Sequence, residues 1–383
     1  LLQIGKHIMM GVQVNIIDST ASYEKWLDGQ LTIVPEDLDK KHTAMAESAF
    51  PFLRATFYRF VQIWKEHAGP AKNAPKVLAV GDLHVANFGT WRDVEGRLVW
   101  GINDFDEVYP FDYTIDLVRL AVSAHIATDE NHLAISADDS CASILAGYKA
   151  GIAGAGCPFI LAEKHKWLRD TVTGVLREPA NFWAKMEEMG ACAVSVPKEV
   201  LRGIEKLMPA GAVVERIGHR VAGLGSLGRQ RFVSLAYLNG SHVAREAKAL
   251  CASAALWAGF KGGLDEPMYP QILATSVRAL DPFVRVKRGW IVRRLAPYCS
   301  RIDLSALPRE REESKLLYAM GFETANVHLG TKGAAKKIAA DLKKRPAKWL
   351  HRSAESMKSA VVKDFEEWKT AHTAKKPPTV QTA

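Results

Sequence analysis

Four side chains able to hold a cation or move a proton fall close together in the first third of the chain: Asp82, Asn87, Asp104 and Asp106. Carboxylate and amide oxygens that converge on one point repel each other unless a cation or a proton sits among them. An all-oxygen set suits a hard ion such as magnesium or manganese. Asp and Asn are also common turn formers. Four of them at this spacing, after a strand and before a helix, exceed what turns require.

The flanking pattern explains how they could meet. Residues 77–80, Val-Leu-Ala-Val, form a short apolar run that stops at Gly81-Asp82-Leu83-His84, as a buried strand delivering a loop does. Two further strands are expected at 87–91 and 97–102, joined by the turn Asp93-Val94-Glu95-Gly96. Such a hairpin brings its outer ends together and gathers the four residues at one lip of a sheet. Asp116 opens a helix carrying Leu117, Leu120, Ala121 and Ala124 behind the cluster. Upstream, Pro51 is expected to open one helix with Leu53, Phe57, Phe60, Val61 and Trp64 on one side, broken by the segment 69–75. Ser136 and Asp139 are placed to cap a helix running to about residue 150. Residues 161–206 read as mostly helical, with Trp167, Leu176, Phe182, Trp183 and Met186 as core.

A second constellation lies far downstream, Gly223-Leu224-Gly225-Ser226-Leu227-Gly228. GxGxxG alone is a weak signal. A dinucleotide fold needs a helix after the glycines. Here Val233, Leu235 and Tyr237 alternate instead, which favours a strand. Strand, glycine loop, strand is the arrangement in which backbone N–H groups cover nucleotide phosphates, although a glycine-rich hairpin without a ligand has the same pattern. Further strands are expected at 215–221, 231–238 and 241–247, a hairpin at 283–286 and 290–295, and helices at 249–257 and 271–280. The fold class is therefore α+β. Its expected regions are 1–210 with the carboxylates, 211–297 rich in strands, 298–374 helical and broken at Pro346, and a disordered tail at 375–383.

Composition narrows the class. The 383 residues are 48% hydrophobic and 24% charged, ordinary for a globular protein, with a formal net charge of +9. Much of the basic excess falls in 332–376 and reads as a solvated face. Cys141, Cys157, Cys192, Cys251 and Cys299 are odd in number and form no CxxC pair. Reduced thiols in the cytoplasm are expected, and a thiolate zinc site is not. No run of about eighteen apolar residues predicts a membrane span, and residues 1–17 lack a signal-peptide cleavage pattern.

Taken together these residues resemble the kinase-like phosphotransferases related to aminoglycoside and choline kinases, and more narrowly the uncharacterised bacterial family DUF2252. The resemblance is carried by Gly81-Asp82-Leu83-His84-x-x-Asn87-Phe88-Gly89, Asn103-Asp104-Phe105-Asp106-Glu107, Asp116-Leu117-x-Arg119-Leu120-Ala121 and the glycine motif. It implies a bilobal protein-kinase-like fold that uses ATP and magnesium or manganese to phosphorylate a hydroxyl of an unidentified acceptor. Asp82 would be the catalytic aspartate, Asn87 and Asp104 metal ligands, and Asp106 a metal ligand or outer-shell group. His84 and Asp116 would brace the loop. Gly223, Gly225, Ser226 and Gly228 would cover the nucleotide. Because the glycine loop follows the catalytic loop, the resemblance implies a circular permutation, with residues 318–328 as the helix that leads into the catalytic loop. Where the family pattern has lysine before Glu-Ala, this chain has Arg245-Glu246-Ala247, with Lys248 next. Arg245 is the first choice for the phosphates, Lys248 the reserve, and Glu266 a candidate carboxylate partner.

Other classes fit less well. Gly81-Asp82-Leu83-His84 also resembles the opening of metallophosphoesterases, but their further metal-binding blocks are missing, and Asn131-His132 lacks its glycine. A nucleotide-binding pseudokinase is the leading alternative because of Arg245, and nucleotidyl transfer on the same fold is another. Nucleic acid is disfavoured as a partner, since the basic helices lack aromatics interleaved with glycine.

Overall fold

The computed structural model describes residues 14–162, 164–173, 178–189, 195–299 and 312–374, so the expectations for the tail and for Leu176 lie outside the described residues. The chain opens with α1 (Ile16–Asp28) and α2 (Pro35–Met45); Asn15 caps α1 by accepting the Asp18 N–H. The single helix expected from Pro51 is instead two, α3 (Ala49–Ala55) and α4 (Phe57–His67). Thr56 breaks the run at φ −121°, ψ 40°, its hydroxyl turned back onto the Phe52 carbonyl at 2.7 Å. Pro51 sits in the first turn of α3, where a missing N–H costs nothing. The apolar stripe of α4, Phe57, Phe60, Val61 and Trp64, is buried as its spacing predicts.

The segment that follows alternates strand and loop. β1 (Lys76–Ala79) is followed by the hairpin β2 (Phe88–Arg92) and β3 (Leu98–Ile102), which pairs Phe88 with Ile102. Asp93 closes the turn by accepting the Glu95 and Arg97 N–H groups. A strand that the pattern did not suggest, β4 (Tyr109–Asp112), returns antiparallel to β1. Pro110 hides it in the sequence, yet a two-stranded ribbon consists of edges, where proline is tolerated. α5 (Thr114–Asp129) is buried almost all round, between the first helices and the last. α6 (Ala137–Ala153) starts at Ser136, whose hydroxyl accepts the Asp139 N–H. β5 (Phe159–Ile160) adds a third strand beside β3, and α7 (Lys166–Thr173), α8 (Pro179–Glu187) and α9 (Lys198–Leu207) follow.

Next comes a five-stranded antiparallel sheet of β6 (Val213–His219), β7 (Arg231–Leu238), β8 (Ser241–Ala249), β9 (Val284–Lys287) and β10 (Trp290–Leu295), in the order β6-β7-β8-β10-β9. Side chains alternate between its two faces. Phe232, Ala247 and Val292 pack on Val200, Ile204 and Leu207 of α9. On the other face Val233, Leu235, Ala244 and Leu295 pack on Phe182 and Met186 of α8. The helices expected at 249–257 and 271–280 shrink to α10 (Ala254–Trp257) and α11 (Tyr269–Thr275). β8 runs on to Ala249, Leu250 still donates to the Gly289 carbonyl at 2.8 Å, and Ser253 caps the helix only after that.

α12 (Glu313–His328), α13 (Ala334–Lys344) and α14 (Trp349–Ala374) close the fold, with Trp349, Met357, Val361, Phe365 and Trp368 buried in the main core. Among the described residues no helix is long and apolar enough to cross a membrane. α12 lies behind the hairpin and buries Glu323, which accepts the Ile102 N–H at 3.3 Å and the Asn326 carboxamide at 2.8 Å. Burial pushes the Glu323 carboxyl up to about 7. The fold therefore holds this proton more tightly than the unfolded chain, and the stability it contributes is lost as pH rises from about 4.5 through about 7. Denaturant titrations at pH 5 and pH 7.5 should show Glu323→Gln removing about 2 kcal/mol of that pH-dependent loss.

Candidate active site

The loop after β1 is fixed from below. Asp116, fully buried at the start of α5, accepts the Val80 N–H at 2.7 Å and the Gly81 N–H at 2.8 Å. His328, at the end of α12, approaches the same carboxylate at 2.9 Å and meets the Tyr148 hydroxyl on its other nitrogen at 2.8 Å. Gly81 has φ +79°, and a Cβ there would overlap the Glu107 carbonyl, so only glycine makes this turn. The turn presents Asp82, whose carboxylate accepts from Arg119 Nε at 2.8 Å. Arg119 is itself sealed in: it donates to the Leu53 carbonyl at 2.7 Å and lies 5.2 and 4.7 Å from the Phe57 and Phe60 rings. Asp82 is thus aimed by a buried guanidinium while about a fifth of its side chain stays exposed.

Asn87 and the loop after β3 form the second wall. Both amide hydrogens of Asn87 go to backbone, the Asp82 and Asp104 carbonyls, each at 3.1 Å. Its Oδ1 is buried with no hydrogen-bond partner. Lys248 Nζ touches both Asp104 oxygens at 3.2 Å and the Asp106 oxygens at 2.7 and 2.8 Å. Arg229 adds charge at 3.5 Å from Asp106 and ties Glu107 at 3.2 Å. Burial and the neighbouring Asp104 charge push the Asp106 carboxyl up, and burial pushes the Lys248 ammonium down. The cation that converging carboxylates call for is therefore supplied in part by the chain. What remains open to a metal is the Asn87 oxygen beside Asp104.

The glycine motif folds back over this cluster. Residues Leu224–Ser226 make a single 3-10 turn between β6 and β7. A Cβ on Gly225 would stand 3.4 Å from Asp82 Oδ2 and a tight 3.1 Å from the Arg54 carbonyl, so the loop backbone lies directly against the Asp82 carboxylate. Gly223, Gly225 and Ser226 line the same compartment as Asp82, His84, Asn87, Asp104 and Asp106. Ser226 turns inward, donating to the Gly223 carbonyl at 3.1 Å and accepting from Arg231 at 2.7 Å. Gly228 does not reach the compartment; it packs on Leu38, and its carbonyl accepts the Val34 N–H at 2.8 Å. Lys41 of α2, absent from the sequence-derived set, lines the compartment and reaches the Gly225 carbonyl at 3.5 Å. Burial holds its ammonium down to about 8.

Two expectations are corrected. Arg245 is not at the site. Positions 245 and 248 are an odd number apart on β8 and so face opposite sides of the sheet. Arg245 donates to the Leu207 carbonyl at 2.7 Å and stacks on Phe283 at 4.8 Å, so the site cation is Lys248. Glu266 is exposed on the stretch before α11 and is no partner for Arg245. The buried carboxylate of β8 is instead Glu246, bonded to Arg231 at 3.0 Å and Arg293 at 2.8 Å and paired with Arg220. Arg119, Arg229 and Lys41 were missed as site residues. Only Arg119 left a trace, as part of the Asp116-Leu117-x-Arg119 pattern.

The compartment at the cluster has a volume of about 40 Å³. A neighbouring cavity of about 330 Å³ shares Arg54 and Gly223 with it. Removing one partner of a buried ion cluster leaves the other charges uncompensated, at about 3–5 kcal/mol. Lys248→Met should lower the unfolding free energy by about that much in denaturant titrations. Millimolar magnesium should restore part of the loss, whereas unchanged stability would mean that the carboxylates need no cation.

The comparisons cover one part of this architecture. A model of the family described as "Uncharacterized protein conserved in bacteria (DUF2252)" matches residues 33–158, the segment holding Asp82, Asn87, Asp104, Asp106 and Asp116. The glycine loop and Lys248 lie outside the match. No curated protein and no solved structure matches the chain.

Proposed function

We propose that this protein is an ATP-dependent phosphotransferase that uses magnesium or manganese and acts on a hydroxyl group. The observation that carries the reading is the Asn87 carboxamide. Its nitrogen is spent on two backbone carbonyls, while its buried oxygen has no donor. An unsatisfied buried acceptor costs about 1–3 kcal/mol, and with Asp104 alongside, a hard cation is the ligand that removes the cost. Asn87 and Asp104 would hold it, with Asp106 beside them. Such an ion would neutralise charge on the phosphates.

The other parts take roles consistent with this chemistry. Gly225 permits the backbone N–H groups of the loop to approach phosphates from above. Lys248 stands on the third strand of the sheet, after a glycine loop between the first and second, where kinases place their phosphate-binding lysine. Asp82, held by Arg119, accepts the proton of the attacking hydroxyl. The whole corresponds to a kinase-like pair of lobes in circularly permuted order, supported by α12 ending at His328 against Asp116. Transfer depends on placement in space, not on chain order.

A second reading, a nucleotide-binding pseudokinase, is favoured by one feature: Lys248 and Arg229 already neutralise Asp104 and Asp106. Calorimetric titration with ATP and magnesium separates the two when paired with phosphate-release assays. Wild type should bind, Asp104→Ala should not, and Arg245→Ala should bind like wild type. Asp82→Ala should keep binding and lose transfer. Binding without turnover across a broad acceptor panel would select the pseudokinase, and release of pyrophosphate would select nucleotidyl transfer. Absence of both nucleotide and metal binding would end both readings.

A further inference from the structure

The cavity beside the cluster has an unusual wall. Six arginines line it: Arg54, Arg220, Arg231, Arg278, Arg293 and Arg294. Three carboxylates among the described residues act on five of these arginines, and the buried Glu323 is the one whose charge is felt at Arg278. Glu246 takes Arg220, Arg231 and Arg293, and Asp281 lies 3.3 Å from Arg294. Arg278 has no ion-pair partner among the described residues. It spends one nitrogen on the Ile102 carbonyl at 2.9 Å, while Nε and Nη1 are buried without acceptors. Its guanidinium lies 4.6 Å from the Trp91 ring and 4.8 Å from the Phe105 ring. Arginine does not shed its proton in a protein, so this charge stays inside the cavity. Stacking fixes the plane of the guanidinium at the cavity wall, where Nε and Nη1 still lack an acceptor.

We propose that this cavity binds an oxyanion, a phosphate or carboxylate group of a small-molecule ligand, with Arg278 as its main contact. Guanidinium groups recognise both oxyanions through paired hydrogen bonds. A volume of about 330 Å³ admits a small-molecule fragment larger than the anion alone. A ligand without an acceptor group would leave the Arg278 N–H groups unsatisfied. Since Arg54 and Gly223 border both spaces, one ligand can lie across Gly223 with a negative group at each end. That extension rests on the phosphotransferase reading, whereas the anion site itself does not.

Calorimetry with inorganic phosphate, and separately with citrate, tests the site in the absence of magnesium. Wild type should bind saturably, more weakly at higher salt. Arg278→Met should weaken binding about tenfold or more, the size expected of a charged hydrogen bond, and Arg278→Lys should recover part of it. Should Arg278→Met fail to fold, Leu280→Glu carries the test. Leu280 is 48% exposed on the cavity rim, and the added carboxylate should repel the anion without disturbing the core. Lys166→Ala, exposed on α7 and no part of the cavity lining, should bind as wild type does. Preference for phosphate or for citrate assigns the group. No saturable binding of either anion, or binding that neither Arg278→Met nor Leu280→Glu weakens, overturns the site. Anion binding without any magnesium-ATP binding would leave this site standing and remove the phosphotransferase reading; the converse would remove this site alone.

Discussion

One ammonium group ties the molecule together. Lys248 Nζ holds two aspartates that lie 144 and 142 positions earlier in the chain, Asp104 and Asp106. Desolvating three charges is costly, and their mutual attraction offsets the cost only when the geometry is good and the remaining polar atoms are satisfied. That condition orients the sheet. The face of β8 carrying Glu246 and Lys248 must turn toward the hairpin loop, and Arg245 is thereby sent to α9.

The junction is reinforced around this point. Glu107 accepts from Arg229 at 3.2 Å, from Ser253 at 3.0 Å and from the Ala254 N–H at 2.7 Å, so the loop after β3 grips the chain on both sides of the β7–β8 hairpin. On the far side of the glycine turn, Asp37 of α2 meets His219 at 2.6 Å. Below, the chain Asp116–His328–Tyr148 links the Asp82 loop to α12 and α6. Asp82, Asn87 and Gly225 are therefore placed by buried polar contacts from four separate elements. A site built this way is preorganised, which is what positioning a phosphate and a hydroxyl for reaction requires.

Much of this was legible in the sequence where the signal was local. The run at 77–80, the Asp93–Gly96 turn and the alternation after Gly228 all mark elements that are present, and the oxygen-bearing residues stand out by spacing alone. What was lost is non-local. Arg245 looked better than Lys248 because it occupies the matching motif position, although strand periodicity puts it on the wrong face. β4 was hidden by Pro110, whose tolerance depends on the strand being an edge. The break at Thr56 lies inside an unbroken helical stripe. Arg229, Lys41 and Arg278 carry no motif; each matters through a partner far away in the chain, which one-dimensional patterning does not encode.

The central claim is that the late glycine turn and the early carboxylates bound a single ligand site. Paramagnetic manganese titrated into the protein tests it directly through loss of backbone amide resonances. The account predicts that the Gly223 and Gly225 amides broaden together with Asn87 and Asp104. Broadening confined to the neighbourhood of Asn87 and Asp104, with both glycines untouched, would contradict it.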